Sequence, residues 1–359
     1  MRTYKLPAVL AASVLGGLLA GCSTASDNDA RTSGTSGTSG TSGTSGGDRN
    51  LVAGASAGPS AAPSTLAEGM GSDQDTDGTF PRTVKHFQGS TTLKTEPRKV
   101  AVLSTGQLDD LLTLGVVPTA TTRADNAGLV PGYLADAFPE EKAKLAAMTD
   151  AGTRQAPNLE SLAAAKPDLI LVNDSLGELY PKLSKIAPTV VTAGNGINWK
   201  RDLLLVGDAL GKGRAAQRVL DGIVTDARAG GKAVQGDPTV SMVRFTPDRT
   251  RMFGVSSFTG SIAVDMGLSR PASQRFNAIS QDISSEKIDT ADGDWIFYSV
   301  QGDAAKTDAA SIVAGPLWKG MAAVKSGRAV EVDDDPWYLN AGPTAARLVV
   351  AQLAERLGK

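Results

Sequence analysis

The 359-residue chain carries few nucleophiles and few metal ligands. Its one cysteine is Cys22 and its one histidine is His86. A single thiol excludes an intramolecular disulfide framework and any cysteine-rich zinc site. A single imidazole excludes a histidine cluster and leaves one candidate base for a serine triad. Three short matches would carry chemistry in another setting. Gly54-Ala55-Ser56-Ala57-Gly58 spells a nucleophile elbow, a motif that needs a strand before it and a helix after it. Asp73, Asp75, Asp77 and Gly78 spell the start of a calcium loop, but Val84 stands where the bidentate glutamate belongs. Ser284-Ser285-Glu286-Lys287 spells a serine–lysine acylase tetrapeptide without its companion motifs. All three read as chance. No Gly-x-x-x-x-Gly-Lys-Ser/Thr phosphate loop occurs, so the chain is not expected to hydrolyse ATP, and nothing points to an enzyme. With 36 basic and 38 acidic residues the net charge is −2, which argues against a nucleic-acid partner.

The residues with more promise lie where strands are expected to end, because ligands of open α/β sheets bind beyond the carboxyl ends of strands. Arg123 closes an expected strand at 116–122. Arg244 shares a strand face with Val240 and Met242, out of place without a partner. Arg251 and Phe253 share the face of the next strand. Trp337 and Tyr338 follow Asp333-Asp334-Asp335 after the last strand. Guanidinium groups donate several hydrogen bonds to oxygen-rich ligands, and aromatic rings pack on organic arms. An ion pair for the arginines and edge packing for the aromatics are the plainer alternatives. Tyr298 and Trp199 read as packing residues, and His86 as a surface or internally satisfied histidine. Glu160 and Glu286 each open a helix, with Asn158 and Ser284 two residues earlier as candidate caps; at that position a carboxylate is worth ~0.3–1 kcal/mol to the helix dipole.

Several elements must position these groups. Arg2 and Lys5 precede an apolar run from Leu6 to Ala20, too short for a spanning helix of about 20 residues but suited to a secretory leader. It ends in Leu19-Ala20-Gly21-Cys22, which resembles the bacterial lipoprotein signal. That resemblance implies a leader at 1–21 and a lipid on Cys22, hence attachment to the extracytoplasmic face of the cell membrane. Thr32 to Gly46 is Thr-Ser-Gly repeated five times, and small polar residues dominate to Gly78. Residues 22–79 are therefore expected to be a flexible leash. From Phe80 onward apolar runs of strand length alternate with helical spacing: strands near 99–104, 116–122, 168–173, 189–193, 240–245, 251–255, 295–300 and 329–332, and helices near 107–114, 157–165, 176–186 and 344–357. A long helical region at 198–236, interrupted near Gly211-Lys212-Gly213, divides an α/β lobe at 80–197 from a second at 237–359.

This part resembles the class III solute-binding proteins of ATP-binding cassette importers. The resemblance runs from about Val84 to Leu357. It is carried by Leu108–Pro118, by Pro157-Asn158-Leu159-Glu160 with Lys166-Pro167-Asp168-Leu169-Ile170, by Tyr180–Val190, by Asn198-Trp199-Lys200 with Val206–Gly211, by Ile283–Glu286, and by Pro316-Leu317-Trp318 through Arg328. It implies two Rossmann-like lobes bridged by one long helix, a monomer, and delivery of ligand to a membrane permease. The siderophore-binding subgroup implies a ferric siderophore ligand, first a hydroxamate, with Arg123, Arg244, Arg251, Phe253, Trp337 and Tyr338 as contacts. The siderophore carries the iron, so no protein metal ligands are needed. Haem or cobalamin is the alternative within the fold, with Tyr298 or Tyr338 as haem ligand. An extracytoplasmic hydrolase using His86 is the alternative outside it. The resemblance also makes Glu160 and Glu286 docking residues for the two permease subunits.

Overall fold

The computed structural model describes residues 62–124 and 127–358. The leader, Cys22, the Thr-Ser-Gly repeats and Gly54–Gly58 lie outside the described residues. An antiparallel hairpin, β1 (Arg82–His86) and β2 (Gly89–Leu93), comes first. The first lobe follows as β3 (Val100–Val102), α1 (Gln107–Thr113), β4 (Ala120–Arg123), α2 (Gly132–Ala137), α3 (Lys142–Ala146), β5 (Thr149–Thr153), α4 (Leu159–Ala164), β6 (Leu169–Asn173), α5 (Tyr180–Leu183) and β7 (Thr189–Thr192). Its strands lie in the order β5-β4-β3-β6-β7, all parallel. Two helices lead out of it, α6 (Trp199–Ala209) and α7 (Gly213–Lys232). The second lobe holds β8 (Val240–Phe245), β9 (Thr250–Phe253), α8 (Phe258–Met266), β10 (Ser280–Ile283), β11 (Trp295–Val300), α9 (Ala309–Ala314), α10 (Pro316–Gly320), α11 (Ala322–Lys325), β12 (Ala329–Glu331) and α12 (Pro343–Leu357). Its order is β10-β9-β8-β11-β12; β8, β11 and β12 run parallel, and β9 is antiparallel to both of its neighbours.

The sequence explains the central strands. Every residue of β6, Leu-Ile-Leu-Val-Asn, is buried, as is every residue of β8. In β6 the unbroken apolar run Leu169–Val172 is what a parallel strand covered by helices on both faces requires, whereas β8 also buries Ser241 and Arg244. In α7 the buried positions Ala216, Leu220, Ile223 and Ala227 recur at helical spacing and form one apolar stripe. That stripe, with Leu203 and Val206 of α6 and Val349 and Leu353 of α12, belongs to a core that reaches from Leu111 in the first lobe to Phe297 and Trp337 in the second. The two-lobed α/β architecture with a helical bridge is therefore present, and the bridge is broken between residues 209 and 213, where the sequence placed its interruption.

Three expectations need correction. The leash does not run to residue 79: Ala62 is buried, Gly71 pairs with Lys85 of β1, and Gly78 N–H donates to the Gly211 carbonyl. The second strand is shorter and later than 116–122, at Ala120–Arg123. The helix expected at 176–186 is a 3-10 segment from Asp174 to Leu179 followed by the single turn of α5.

Candidate functional site

A cleft of about 430 Å³, its open mouth included, is lined from both lobes. The first lobe supplies residues that follow its strands: Ser104 and Gly106 after β3, Thr121 to Ala124 at the end of β4, and Arg154 after β5. Tyr133 and Leu134 of α2 add one wall. The second lobe supplies Asp335, Leu339 and Asn340 from a π-helical turn at Asp335–Leu339, just before α12. Single π turns are rare and recur at functional sites.

The lobes meet closely beneath this cleft. Asp109 of α1 accepts from the Thr344 and Ala345 amides, each at 3.0 Å, so a carboxylate of the first lobe caps a helix of the second. Gly106 has φ +84, and a Cβ there would lie 2.3 Å from the Ala341 carbonyl oxygen; only glycine lets these two backbones approach. Burial raises the Asp109 carboxyl, partly offset by the hydrogen bonds from Thr344, Ala345 and Thr113. Beside it Asp110 is driven well above the usual carboxylate range, by burial first and then by the charges of Asp109 and Asp202.

Arg154 is the cation that spans the cleft. Its Nη1 donates to Thr105 Oγ1 at 3.3 Å and to the Leu339 carbonyl at 3.4 Å, and its Nη2 donates to Asn340 Oδ1 at 2.5 Å. Its Nε is buried without a partner. Among the described residues no salt bridge ties it to a carboxylate. Burial works against its charge, opposed by the Tyr133 and Asp335 side chains. Burial also raises Asp335, reinforced by Asp333 and Asp334, with Arg154 and Arg244 pulling the other way. A guanidinium held by neutral oxygens at a cleft is a group that can donate to an oxygen-rich ligand.

Of the residues expected from the sequence, only Arg123 lines this cleft, and it is paired with Asp150. Arg244, Arg251, Phe253 and Tyr338 come together in the second lobe. Arg244 and Arg251 face each other across β8 and β9. Each has its own carboxylate. Arg244 makes two bonds to Asp334, at 2.7 and 2.6 Å, and Ser299 Oγ donates to the same carboxylate at 2.6 Å. Arg251 Nε reaches Asp282 at 3.2 Å. Tyr338 packs against Phe253 in a tilted pair with centroids 4.7 Å apart and donates its hydroxyl to the Phe297 carbonyl at 2.9 Å. Arg244 thus stands in a nearly buried ion pair with Asp334. Trp337 is a clearer correction: it is fully buried, stacks on Phe297 at 5.1 Å, and its indole N–H donates to Gln352 Oε1. It is core, because the π turn directs it inward while Asp335 and Asn340 face the cleft.

Glu160 and Glu286 are both exposed, one per lobe. Asn158 Oδ1 caps α4 through the Glu160 and Ser161 amides, at 3.0 and 2.9 Å. Ser284 makes no such side-chain bond, so the second half of that expectation fails. His86 is internally satisfied at 3 % exposure. Its Nδ1 accepts from the Gln88 amide and its Nε2 meets Thr91 Oγ1 at 2.9 Å. Trp199 is a packing residue, its N–H donating to Ser261 Oγ at 3.0 Å.

The chain is 33% identical over 287 residues to the probable siderophore-binding lipoprotein YfiY of Bacillus subtilis, a match covering 75% of this chain and 85% of that protein. It is 28% identical over 283 residues to the Fe(3+) dicitrate-binding periplasmic protein FecB of Escherichia coli, covering 76% of this chain and 89% of that one. The crystal structure of Staphylococcus aureus SirA complexed with staphyloferrin B superposes with a TM-score of 0.68 at 28% identity, covering 77% of this chain and 98% of that chain. Residues 100–336, which run from β3 through both linking helices to the π turn, carry the pattern of one family throughout, and the chain belongs to the periplasmic binding protein family.

Proposed function

We propose that the protein is an extracytoplasmic receptor that captures a ferric siderophore between its lobes and hands it to an ATP-binding cassette permease for iron uptake. The observation that carries this reading is Arg154, a guanidinium with no carboxylate partner among the described residues, in a cleft lined from both lobes. The named ligands of the related proteins are ferric chelates, which present oxygen shells to such donors. Among the described residues that line the cleft, the charges are Arg123 and Arg154 against Asp109 and Asp335, with no lysine. That balance favours a chelate of low net charge over a trianionic catecholate complex, and supports a ferric hydroxamate as first choice.

The lipid on Cys22 belongs to the same reading: a leash lets the receptor reach a permease in the same membrane. Glu160 and Glu286 are the docking carboxylates, supported by their exposure, one on each lobe. The alternatives lose support. Tyr338 is engaged by the Phe297 carbonyl, and Tyr298 packs on Phe245 and Trp318, so neither is offered to haem iron. His86 has both ring nitrogens engaged, which leaves a hydrolase without its base. Fluorescence titration with ferric hydroxamates, ferric citrate, ferric catecholates and haem tests the reading: saturable quenching by a ferric siderophore and none by its iron-free form is expected, and no response to any ferric chelate overturns it.

A further inference from the structure

Residues 70–82 do more than connect a tether to a fold. They close on the break between α6 and α7. Asp77 Oδ1 and Oδ2 accept from the Arg214 and Ala215 amides at 2.9 and 3.2 Å, capping α7 from 137 residues away in sequence. The helix's own cap residue, Lys212, supplies no side-chain bond. Gly78 N–H donates to the Gly211 carbonyl at 2.7 Å, inside the break. On the α6 side Asp208 is held by Ser72 and by Arg82. Ser72 Oγ donates to its Oδ1 at 2.8 Å, and Arg82 Nη1 donates to the same oxygen at 2.9 Å and to the Asp208 carbonyl at 2.5 Å. Arg82 ties the segment to itself through the Thr79 and Thr76 carbonyls. The Arg82–Asp208 pair is nearly dry, with side chains 1% and 10% exposed.

The far end of α7 is fixed to the other lobe. Gly231 of α7 lies against the end of α8 so closely that a Cβ would stand 1.7 Å from the Met266 carbonyl oxygen. Glycine inside a helix costs stability relative to alanine, and close approach of two backbones is what it permits here. A 20-residue helix spans about 30 Å. One end of that lever is thus packed closely on the second lobe, and the other is gripped by the 70–82 segment on the first.

We infer that residues 70–82 are an intramolecular clamp that fixes the angle of the linking helix, and with it the spacing of the two lobes. Asp77 and the Arg82–Asp208 pair are its two grips. The clamp also sets where a lipid-free receptor domain can begin: a start at Phe80 removes Ser72, Asp77 and Gly78.

The test uses the complete chain with Cys22→Ser and spin labels at Lys182→Cys and Lys287→Cys, exposed positions in the two lobes. Interlobe distance distributions are compared for Asp77, Asp77→Ala and Asp77→Asn, with hydrogen exchange of the Arg214 and Ala215 amides read in parallel. Asparagine keeps an oxygen able to accept from two successive amides, as Asn158 does for α4. The expected result for Asp77→Ala is about fivefold faster exchange at 214 and 215 together with a broader distance distribution, both restored by Asp77→Asn. Faster exchange with an unchanged distribution would reduce Asp77 to a local cap and overturn the clamp. Unchanged exchange would overturn the cap as well. No ligand enters either readout, so failure here is separate from failure of the siderophore reading.

Discussion

His86 and Asp202 sit in the core, and burial displaces the titration of each from its solution value. Burial holds the His86 imidazole down to about 4, and the Gln88 amide pointing at Nδ1 leaves a second proton no acceptor. The folded state therefore binds fewer protons than the unfolded state between about pH 4 and 6.5, and stability from this group is present above the unfolded value and lost as pH falls. Asp202, which accepts from the Ala193 and Gly194 amides, is pushed by burial up to about 7. Its folded form binds more protons than its unfolded form, so its contribution is present at low pH and lost as pH rises toward 7. Urea unfolding from pH 4 to 7.5 separates the two. Relative to His86→Gln, the wild type should lose about 3 kcal/mol on going from pH 7 to pH 4. Relative to Asp202→Asn, it should lose stability in the other direction. Parallel curves for wild type and variants would refute the assignments. Neither state was legible in the sequence, because burial of a titrating group depends on what packs over it. Arg154 was missed for a related reason: β5, whose end places it, is Thr-Asp-Ala-Gly-Thr and has no apolar run to mark it. Trp337 was placed near the ligand because proximity to a strand end says nothing about which side a π turn presents.

The same logic runs through the elements. The buried strand β6 was readable, since the continuous apolar run Leu169–Val172 has few other uses, and β8 was readable from its alternate apolar residues despite Ser241 and Arg244. β1 was not, because its inward positions are Arg82, Val84 and His86; two of three core-facing residues are polar, and alternation is masked. β10, Ser-Gln-Asp-Ile, is a polar edge strand of the kind that discourages further pairing. α12 was legible from its apolar spacing, but its cap was not, since Asp109 lies 235 residues earlier. Replacing Asp109 by alanine removes both acceptors from the α12 amides and should cost about 1–2 kcal/mol in urea unfolding, with Asp109→Asn retaining most of it. Equal losses for the two variants would mean that the carboxylate charge, and not the capping oxygen, stabilises this junction.

At the largest scale, the described residues form two lobes joined by a helical bridge, with Glu160 exposed on the first and Glu286 on the second. If Glu160 and Glu286 engage cationic partners on two permease subunits, reversing both charges removes attraction and adds repulsion without touching the cleft. Glu160→Lys with Glu286→Lys should abolish ferric siderophore uptake by cells while leaving ligand affinity within twofold of wild type. Uptake that survives the double reversal would assign docking to another surface. The two-lobed architecture was legible before any coordinate because the order of short apolar runs and helical stretches is a property of the whole chain. The span of the leash was not: residues 70–82 have a linker's composition, and their grip depends on Asp208 and the α7 amides far along the chain.

The measurement that bears most directly on the central claim is the affinity of the complete protein and of Arg154→Gln for the ferric siderophore that quenches its tryptophans. Loss of hydrogen bonds from a charged donor is worth about 1.5–3 kcal/mol each. Saturable binding of the ferric form, none of the iron-free form, and a ten- to hundredfold weaker dissociation constant for Arg154→Gln at unchanged unfolding stability are predicted. Equal affinities for wild type and variant, or binding indifferent to iron, would place the ligand outside this cleft and contradict the account.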